Sequence, residues 1–410
     1  MPHGPYEDVR VTGHLIDSGI MSRIMDDIVA LDGEFETLSF NVGRTNVDPS
    51  IAVLRVRAAD AAQLDAILGE IGQLGAEPID ADDVRTAPAP ADGVFPQGFY
   101  ATTNLETAVR IAGRWTGVAG TEMDLGIVVA GGAARTVAMA DVREGEHVVL
   151  GHTGVRVRPV ERPREKQEFE FMNSEVSSEK PKALVIRDVA HMLRKVRARG
   201  EKIIFVVGPA VVHTGAAEHL ARLAKSGYVS VMFGGNAVAT HDIESALYGT
   251  SLGITMDAGR PAAGGHEHHL RAINTIRGCG GIRGAVEQGV LTTGLMHTLV
   301  ETGTPYVLAG SIRDDGPLPD VITDVLEAQR VMRAHCQEAG ACVMLSTMLH
   351  SIATGNMLPA RVTTVCVDIN PAVVTKLADR GSFQTIGIVT DVGLFLEMLA
   401  DEVERPHLGR

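Results

Sequence analysis

The segment from Ala341 to Pro371 constrains the fold more than any other part of the chain. It reads as an apolar run that ends at Leu345, a turn with a short helix, and a β-branched run that ends at Asp368. In dinucleotide-binding folds, an acid at the end of such a second strand accepts hydrogen bonds from the adenosine ribose hydroxyls. The glycine fingerprint G-x-G-x-x-G of those folds is missing here, although a helix start can hold a pyrophosphate through backbone N–H groups alone. Asp368 is therefore interpreted either as a ribose-binding acid or as a strand-end acid that caps the helix beginning at Pro371.

Apolar strands alternate with amphipathic helices through the rest of the carboxyl-terminal region, which we assign as residues 163–410. Continuous apolar runs such as Ile203–Val207 are typical of parallel strands that are covered on both faces. The alternation predicts an α/β fold with a doubly wound parallel sheet, Rossmann-like but without the glycine fingerprint.

Glycines and small polar residues follow the predicted strands of this sheet. The segments concerned are Gly208–Gly215, Gly234–Ala237, Ala309–Gly316, Ser346–His350, Asp368–Asn370 and Thr390–Val392. In an open parallel sheet, ligands bind at the carboxyl ends of the strands. Because the same residue types recur at this one edge, the sequence predicts a nucleotide-sized site there.

Two positions at this edge have a structural and a functional interpretation. Asn236 could cap the helix that follows it or contact a ligand. The run Arg313, Asp314 and Asp315 could be a solvated turn. It could also be an amino-acid site, in which Arg313 binds a carboxylate and an aspartate binds an ammonium group.

A metal site is not expected in this chain. The run from His266 to His269 contains three histidines and one glutamate, but adjacent residues of a helix point in different directions. No P-loop, nucleophile elbow or H-E-x-x-H motif occurs in the sequence.

The amino-terminal region divides into two further predicted domains. Residues 1–88 follow the order β-α-β-β-α, which predicts a ferredoxin-like α/β domain. Residues 96–162 contain short strands with glycine-rich turns, which predict a small β domain. The Pro- and Ala-rich stretch 86–97 is interpreted as a linker, and Phe99–Asn104 as either a structured loop or a lip over the ligand site.

Charge and cysteine usage limit the classes of partner. The formal net charge is −14, which argues against nucleic acid or an anionic membrane surface as a partner. None of the four cysteines forms a C-x-x-C pair, and the amino-terminal sequence does not resemble a signal peptide. We therefore expect a cytoplasmic protein that acts on a small molecule, and we expect it to form a homo-oligomer.

Long stretches of the sequence resemble one known family. They are GHLIDSGI (13–20), FPQGFYATTNLET (95–107), FEFMNSEVSSEKPK (169–182), GPAVVHTG (208–215), HDIESALYGTSLG (241–253), LAGSIRDDGPLPDVITD (308–324), TMLHSIATGNMLP (347–359) and VCVDINPAVVTKLADRGS (365–382). Over nearly the whole chain they are similar to the NAD-dependent ornithine cyclodeaminases of archaea and bacteria. That family is related to the linker region of plant lysine-ketoglutarate reductase/saccharopine dehydrogenase, and it is similar to the carboxyl-terminal part of the cyanobacterial arginine-dihydrolase fusions.

The resemblance implies a bound NAD in the carboxyl-terminal domain. The positions that match the family's NAD contacts are Asn236, Ala237, Asp315, Thr347, Met348, Leu349, His350, Asp368, Asp391 and Val392. A departure at Ala239-Thr240, where more aliphatic residues are expected, leaves the substrate less defined than the cofactor.

The resemblance also implies a reaction, the conversion of L-ornithine to L-proline and ammonia with NAD as a transient hydride acceptor. We expect Asp314 or Asp315 to act as base or ammonium anchor and Arg313 to clamp the carboxylate, with Asp242 and Asn236 as supporting candidates. Two alternatives remain open. One is a cyclodeaminase or dehydrogenase of another diamino acid, and the other is a non-catalytic NAD or amino-acid sensor.

Overall fold

The computed structural model of the chain describes residues 4–16, 18–44, 48–79, 82–158, 182–252, 254–255, 267–314, 316–379 and 385–405. The chain divides into two compact units. The first comprises Met1–Glu170 with Pro359–Arg361, and the second comprises Phe171–Leu358 with Val362–Arg410. The predicted domain boundary at 162/163 lies outside the described residues.

The first unit begins with a four-stranded antiparallel sheet covered by two helices. Its elements are β1 (Tyr6–Gly13), α1 (Ile20–Ala30), β2 (Glu34–Asn41), β3 (Ser50–Arg57), α2 (Ala61–Gln73) and β4 (Ala76–Pro78). The strand order is β2-β3-β1-β4, as in a ferredoxin-like sandwich, which confirms the predicted fold of this region. The helices bury residues at helical spacing, such as Ile24 and Ile28, against alternate residues of the strands, such as Leu54 and Val56.

A second, seven-stranded sheet completes the first unit. Its strands are β5 (Arg85–Pro88), β6 (Glu106–Ile111), β7 (Arg114–Ala119), β8 (Gly126–Ala130), β9 (Ala133–Val137), β10 (His147–Leu150) and β11 (Val155–Arg158), in the order β11-β6-β7-β9-β8-β10-β5. A short 3-10 helix, Met139–Asp141, lies between β9 and β10. This sheet is the small β domain that the sequence predicts.

The interpretation of residues 86–97 as a linker is wrong. Strand β5 pairs in register with β10, and Ala89 and Phe95 are buried in a core cluster with Val128 and Val148. Strand pairing uses backbone hydrogen bonds, so a composition rich in Pro and Ala did not reveal it. The Phe99–Asn104 stretch is a structured loop, in which Tyr100 and Thr102 are buried and the Thr102 hydroxyl bonds to the backbone of Glu122 and Leu125.

The second unit alternates strands and helices. Its elements are α3 (Lys182–Ala198), β12 (Lys202–Val207), α4 (Ala210–His213), α5 (Ala217–Lys225), β13 (Val231–Gly235), α6 (Asn236–Tyr248), β14 (Thr250–Ser251), β15 (Ile254–Thr255), α7 (His268–Gly278), α8 (Ile282–Glu287), α9 (Leu295–Glu301), β16 (Tyr306–Ala309), β17 (Val321–Ile322), α10 (Val325–Cys336), β18 (Ala339–Leu345), α11 (Met348–Met357), β19 (Thr363–Asp368), α12 (Pro371–Asp379), β20 (Thr385–Val389) and α13 (Val392–Glu404).

Seven of these strands form one parallel sheet in the order β17-β16-β13-β12-β18-β19-β20. The central strands β12 and β18 are buried along almost their whole length, because helices cover both faces. Their β-branched and sulfur-containing side chains form the core with Phe233 and Met357. The predicted doubly wound α/β fold is confirmed.

None of the helices in the described part of the chain is long and apolar enough to cross a membrane.

Candidate functional site

The strand order reverses between β12 and β18. From β12 the chain proceeds outward through β13, β16 and β17, and from β18 it proceeds in the other direction through β19 and β20. Loops that leave two such strands diverge to opposite faces of the sheet, which opens a crevice at their carboxyl ends. Gly208 and Ser346 lie at this point, and a Cβ on Gly208 would overlap the carbonyl oxygen of Ser346. The two backbone segments therefore approach so closely that only glycine, which has no Cβ, fits at position 208.

The amino terminus of α11 faces this crevice region. Ser346 adopts a left-handed conformation with φ 48°, which turns the chain sharply from β18 into the helix. The N-cap residue Thr347 makes no side-chain capping bond, and Leu349 in the first turn is 77% exposed. A helix start with uncapped N–H groups and a positive dipole end is suited to bind a phosphate group.

His350 supplies an unpaired polar atom in the same turn. Its Nε2 atom is buried and has no hydrogen-bond partner among the described residues. Burial lowers the pKa of His350 to about 4, so the ring is neutral at neutral pH. A buried ring nitrogen without a partner costs free energy, and a bound ligand could supply that partner.

Asp368 ends β19, the strand next to β18, and is half-buried. Its Oδ1 atom accepts a hydrogen bond of 2.8 Å from the Asn370 backbone N–H, and Asn370 in turn accepts one from Ala372 N–H at the start of α12. The interpretation of Asp368 as the cap of α12 is therefore wrong, because Asn370 performs that role. The position of Asp368 at the end of the strand after α11 fits that of a ribose-binding acid.

Asp391 has a structural role that the sequence did not indicate. Its Oδ1 atom accepts hydrogen bonds from the backbone N–H groups of Gly393 and Leu394 and so caps α13, while the side chain remains exposed. Val392 follows it and is buried. This turn lies at the carboxyl end of β20, on the edge where the ligand site is expected.

Asn236 begins α6 at the carboxyl end of β13 and is buried. Its Oδ1 atom accepts hydrogen bonds from Leu318 N–H at 3.0 Å and from Thr240 Oγ1 at 3.3 Å, so it does not cap its own helix. The capping interpretation is wrong. Asn236 instead holds the segment after β16 against α6, and Ala237 beside it is exposed at the helix start.

Arg313 and Asp314 lie in the turn that follows β16. Asp314 accepts a hydrogen bond from Ser311 N–H, and the Arg313 backbone N–H bonds to the Ser311 hydroxyl. The Arg313 side chain is exposed and makes no ion pair with the described residues. Asp315 lies outside the described residues.

Asp242 caps a neighbouring helix. It is buried in α6, and its two oxygens accept hydrogen bonds from Leu295 N–H and Met296 N–H at 2.9 and 2.7 Å, which caps α9. Burial raises its pKa to about 6, against the two backbone hydrogen bonds that lower it. Because both oxygens accept hydrogen bonds from helix α9, the geometry gives Asp242 a structural role.

The structure also brings together a polar cluster that the sequence did not reveal as a unit, although His241 and Glu244 at the start of α6 are weak site candidates from the sequence. His213, His241, Glu244, Ser251, Thr250 and His268 are linked by hydrogen bonds or ring contacts beside the carboxyl ends of β12 and β13. The available signal was the spacing of His241 and Glu244, which lie one turn apart on the same helix face. The cluster also gives His268 a hydrogen-bonding role, and no group of three or more His, Cys, Asp or Glu side chains that could hold a metal occurs among the residues the structure describes.

Comparison with known protein families shows which family this chain belongs to. A family model described as "Arginine dihydrolase ArgZ-like, C-terminal, Rossmann fold" matches residues 187–399, and the first region of the same ArgZ-like group matches residues 106–186. A model of the "LOR/SDH bifunctional enzyme conserved region" matches residues 6–105. An ornithine cyclodeaminase from Methanopyrus kandleri is 54% identical over 402 residues, which cover 97% of each chain. The chain belongs to the family of the archaeal ornithine cyclodeaminases and the ArgZ carboxyl-terminal region. The resemblance noted from the sequence is thereby confirmed.

Two solved structures extend this family assignment. The ligand-free structure of ArgZ, a cyanobacterial arginine dihydrolase, matches with a TM-score of 0.85 and 41% identity, over 98% of this chain and 58% of ArgZ. The ternary complex of AgrE with ornithine and NAD+ matches with a TM-score of 0.53 and 44% identity, over 98% of this chain and 57% of AgrE. This chain thus spans little more than half of either protein.

Proposed function

We propose that this protein is an NAD-dependent ornithine cyclodeaminase that converts L-ornithine to L-proline and ammonia. The single observation that carries the proposal is the near-complete match to ornithine cyclodeaminases, which extends over 97% of the chain. The crevice at the carboxyl ends of β12 and β18 supports it, because a dinucleotide and a small amino acid bind at such a reversal of strand order.

We propose that NAD is held along the rim between α11 and the ends of β19 and β20. The uncapped start of α11 at Thr347, Met348 and Leu349 suits the pyrophosphate, and Asp368 suits the adenosine ribose. The buried, unpaired Nε2 of His350 is an observation that favours a ligand in this turn. Asp391 and Val392 line the rim at β20, and Asn236 and Ala237 lie at the end of β13.

When bound, NAD would take up a hydride from Cα of the substrate and later return it, so the reaction needs no net oxidant. The protein must orient Cα and both amino groups, since positioning supplies much of the rate acceleration. It must also remove and return protons at these amino groups.

We propose that the turn after β16 binds the amino-acid part of the substrate. Arg313 has an exposed guanidinium without an ion-pair partner among the described residues, so it is available to bind the substrate carboxylate. Asp314 and Asp315 are the acids beside it that could bind an ammonium group or accept a proton. Asp242 is left out of this proposal, because it caps α9.

The test compares turnover of ornithine, lysine and 2,4-diaminobutyrate by purified protein with saturating NAD. We expect proline and ammonia from ornithine and much slower turnover of the shorter and longer diamino acids. Faster turnover of another diamino acid would identify that compound as the substrate. Absence of turnover with intact NAD binding would favour a non-catalytic sensor.

We also propose a cytoplasmic location and a homo-oligomeric state. All four cysteines are free thiols, which is typical of a reducing compartment and supports the location. Size-exclusion chromatography with light scattering would test the oligomeric state.

A further inference from the structure

A chain of side chains, joined by hydrogen bonds and one contact between histidine rings, runs from the surface into the protein beside the rim. His213 ends the short helix α4 after β12, and its Nδ1 lies 2.7 Å from Ser251 Oγ. The rings of His213 and His241 face each other with centroids 4.9 Å apart. His241 Nδ1 lies 2.9 Å from Glu244 Oε2. His213 is exposed, His241 is 8% exposed and Glu244 is fully buried, so the three side chains connect solvent with the interior.

The buried end of this chain is held by several elements. Glu244 Oε1 accepts a hydrogen bond from Thr250 Oγ1 at 2.9 Å, and Oε2 accepts one from Leu252 N–H at 3.2 Å. Thr250 Oγ1 also lies 2.8 Å from His268 Nδ1 on α7. A fully buried carboxylate is costly unless it is hydrogen-bonded, and the protein positions α6, α7 and the β14–β15 hairpin around this one. A carboxylate held in this way orients the histidine in front of it.

The outer end of the chain lies next to residues that we assign to the NAD rim. Thr214, which follows His213, has its Oγ1 atom 3.6 Å from the point where a Cβ at Gly393 would lie, in the turn that contains Asp391 and Val392. On the other side, Thr240, which precedes His241, bonds to Asn236. Each of the two histidines is therefore one residue away from a threonine that lies close to a segment of the proposed cofactor site.

The proposed reaction must move protons at this place. An ornithine cation carries two ammonium groups and gives one proline and one ammonium ion, so no proton is gained or lost overall. The α-ammonium group must lose a proton before the hydride leaves Cα. The δ-ammonium group must lose a proton before its nitrogen forms the ring bond to Cα. The C–N bond to the departing nitrogen then breaks, a hydride returns to Cα of the cyclic imine, and both product nitrogens regain a proton.

We propose that His213, His241 and Glu244 form a proton relay that takes up and returns these protons, an inference that rests on the proposed function. Glu244 accepts the Nδ1 proton of His241 and so fixes the tautomer in which Nε2 is free to accept a proton. His213, at the outer end, exchanges protons with the substrate side of the rim. Burial lowers the pKa of His213, the neighbouring His241 lowers it further and Glu244 opposes them, so the neutral form of His213 is favoured.

Substitution of His213 by Asn is the first test. The Asn amide can keep a hydrogen bond to Ser251 but cannot carry a proton at neutral pH. We expect kcat with ornithine to fall about 10²-fold, while KM and the Kd for NAD change by no more than about twofold. The matched control is His335→Asn, because burial also lowers the pKa of His335, but this residue lies at the carboxyl end of α10, at the opposite edge of the sheet. We expect His335→Asn to leave kcat unchanged.

A second variant separates proton transfer from structure. In His213→Ala, added imidazole can occupy the exposed space, and we expect it to restore much of the lost kcat. Full kcat in His213→Asn would overturn the relay, and so would a loss of kcat in His213→Ala that imidazole does not restore. In either case, proline formation by the wild-type protein would leave the proposed function intact. Failure of the wild-type protein to form proline would overturn both.

The tautomer of the His241 ring provides a readout that does not depend on turnover. Nitrogen-15 NMR of histidine-labelled protein should show His241 protonated at Nδ1, and Glu244→Gln should remove this preference. The groups that face His241 are Glu244 on its own helix and His213 on α4. A wild-type His241 protonated at Nε2 alone would contradict the proposed orientation.

Discussion

Asp368 is the residue that links the fold most directly to the choice of cofactor. It stands at the end of β19 with one oxygen bound to the Asn370 N–H, a geometry that leaves its second oxygen for a ligand hydroxyl. The sequence predicted the position because an acid at the end of a β-branched run is a strong local signal. It could not show that Asn370, two residues later, would be the cap of α12.

Replacement of Asp368 should affect NAD binding specifically. We expect Asp368→Ala to weaken NAD binding by about 1–3 kcal/mol, because the ribose hydroxyls lose a charged acceptor. Asp368→Asn should lose less affinity for NAD and should gain affinity for NADP, since the charge that repels a 2′-phosphate is removed. Calorimetric titration with both cofactors measures this, and an unchanged NAD affinity in Asp368→Ala would refute the ribose role.

Asp242 makes the free energy of unfolding depend on pH, which the sequence did not reveal. Its pKa is raised by burial from 3.8 to about 6, so the folded protein binds its proton more tightly than the unfolded chain does. The stabilisation from this group is fully present below its unfolded pKa, and it is lost as the pH rises through about 6. A shift of this size corresponds to about 3 kcal/mol.

The variant that tests this pH dependence of stability is Asp242→Asn, whose side chain cannot ionise. Between pH 4 and pH 6, we expect the free energy of unfolding of the wild-type protein to fall by up to about 3 kcal/mol relative to this variant. Urea unfolding of both proteins across this range measures the difference. Parallel pH profiles for the two proteins would show that Asp242 ionises normally in the folded state.

At the scale of single elements, the amino terminus of α11 carries the phosphate-binding argument. The helix start is formed by the turn at Ser346 and lacks a side-chain cap, so its N–H groups are exposed. Sequence reasoning found the strand–helix–strand pattern but could not detect this property. The φ value of Ser346 is a feature of backbone geometry, which side-chain patterns encode weakly.

A negative charge introduced at the start of α11 should weaken NAD binding without lowering the stability of the ligand-free protein. Met348 is 38% exposed in the first turn, and Met348→Glu places a negative charge at the positive end of the helix dipole. We expect the thermal stability of the ligand-free protein to be unchanged or slightly higher, by about 0.3–1 kcal/mol, while NAD affinity falls about tenfold or more. Met348→Gln is the matched control without charge. Equal NAD affinity in the two variants would place the pyrophosphate elsewhere.

For the molecule as a whole, most of the second unit could be predicted from the sequence. Buried parallel strands require continuous apolar runs, and the helices between them show clear amphipathic spacing, so the doubly wound sheet was predictable. The cluster of His213, His241 and Glu244 was not, because His213 lies on α4 and the other two lie on α6, so they meet only through the fold. The same holds for β5, whose pairing with β10 is made by backbone atoms.

The central claim is that one crevice holds an ornithine next to a bound NAD and returns the same hydride to the carbon that lost it. The most direct measurement is the conversion of L-ornithine labelled with deuterium at Cα in ordinary water, followed by mass spectrometry of the proline formed. We predict that the proline retains deuterium at Cα and that ammonia appears in equal amount without accumulation of NADH. Proline that has lost the deuterium to solvent, or no proline at saturating NAD, would contradict the account.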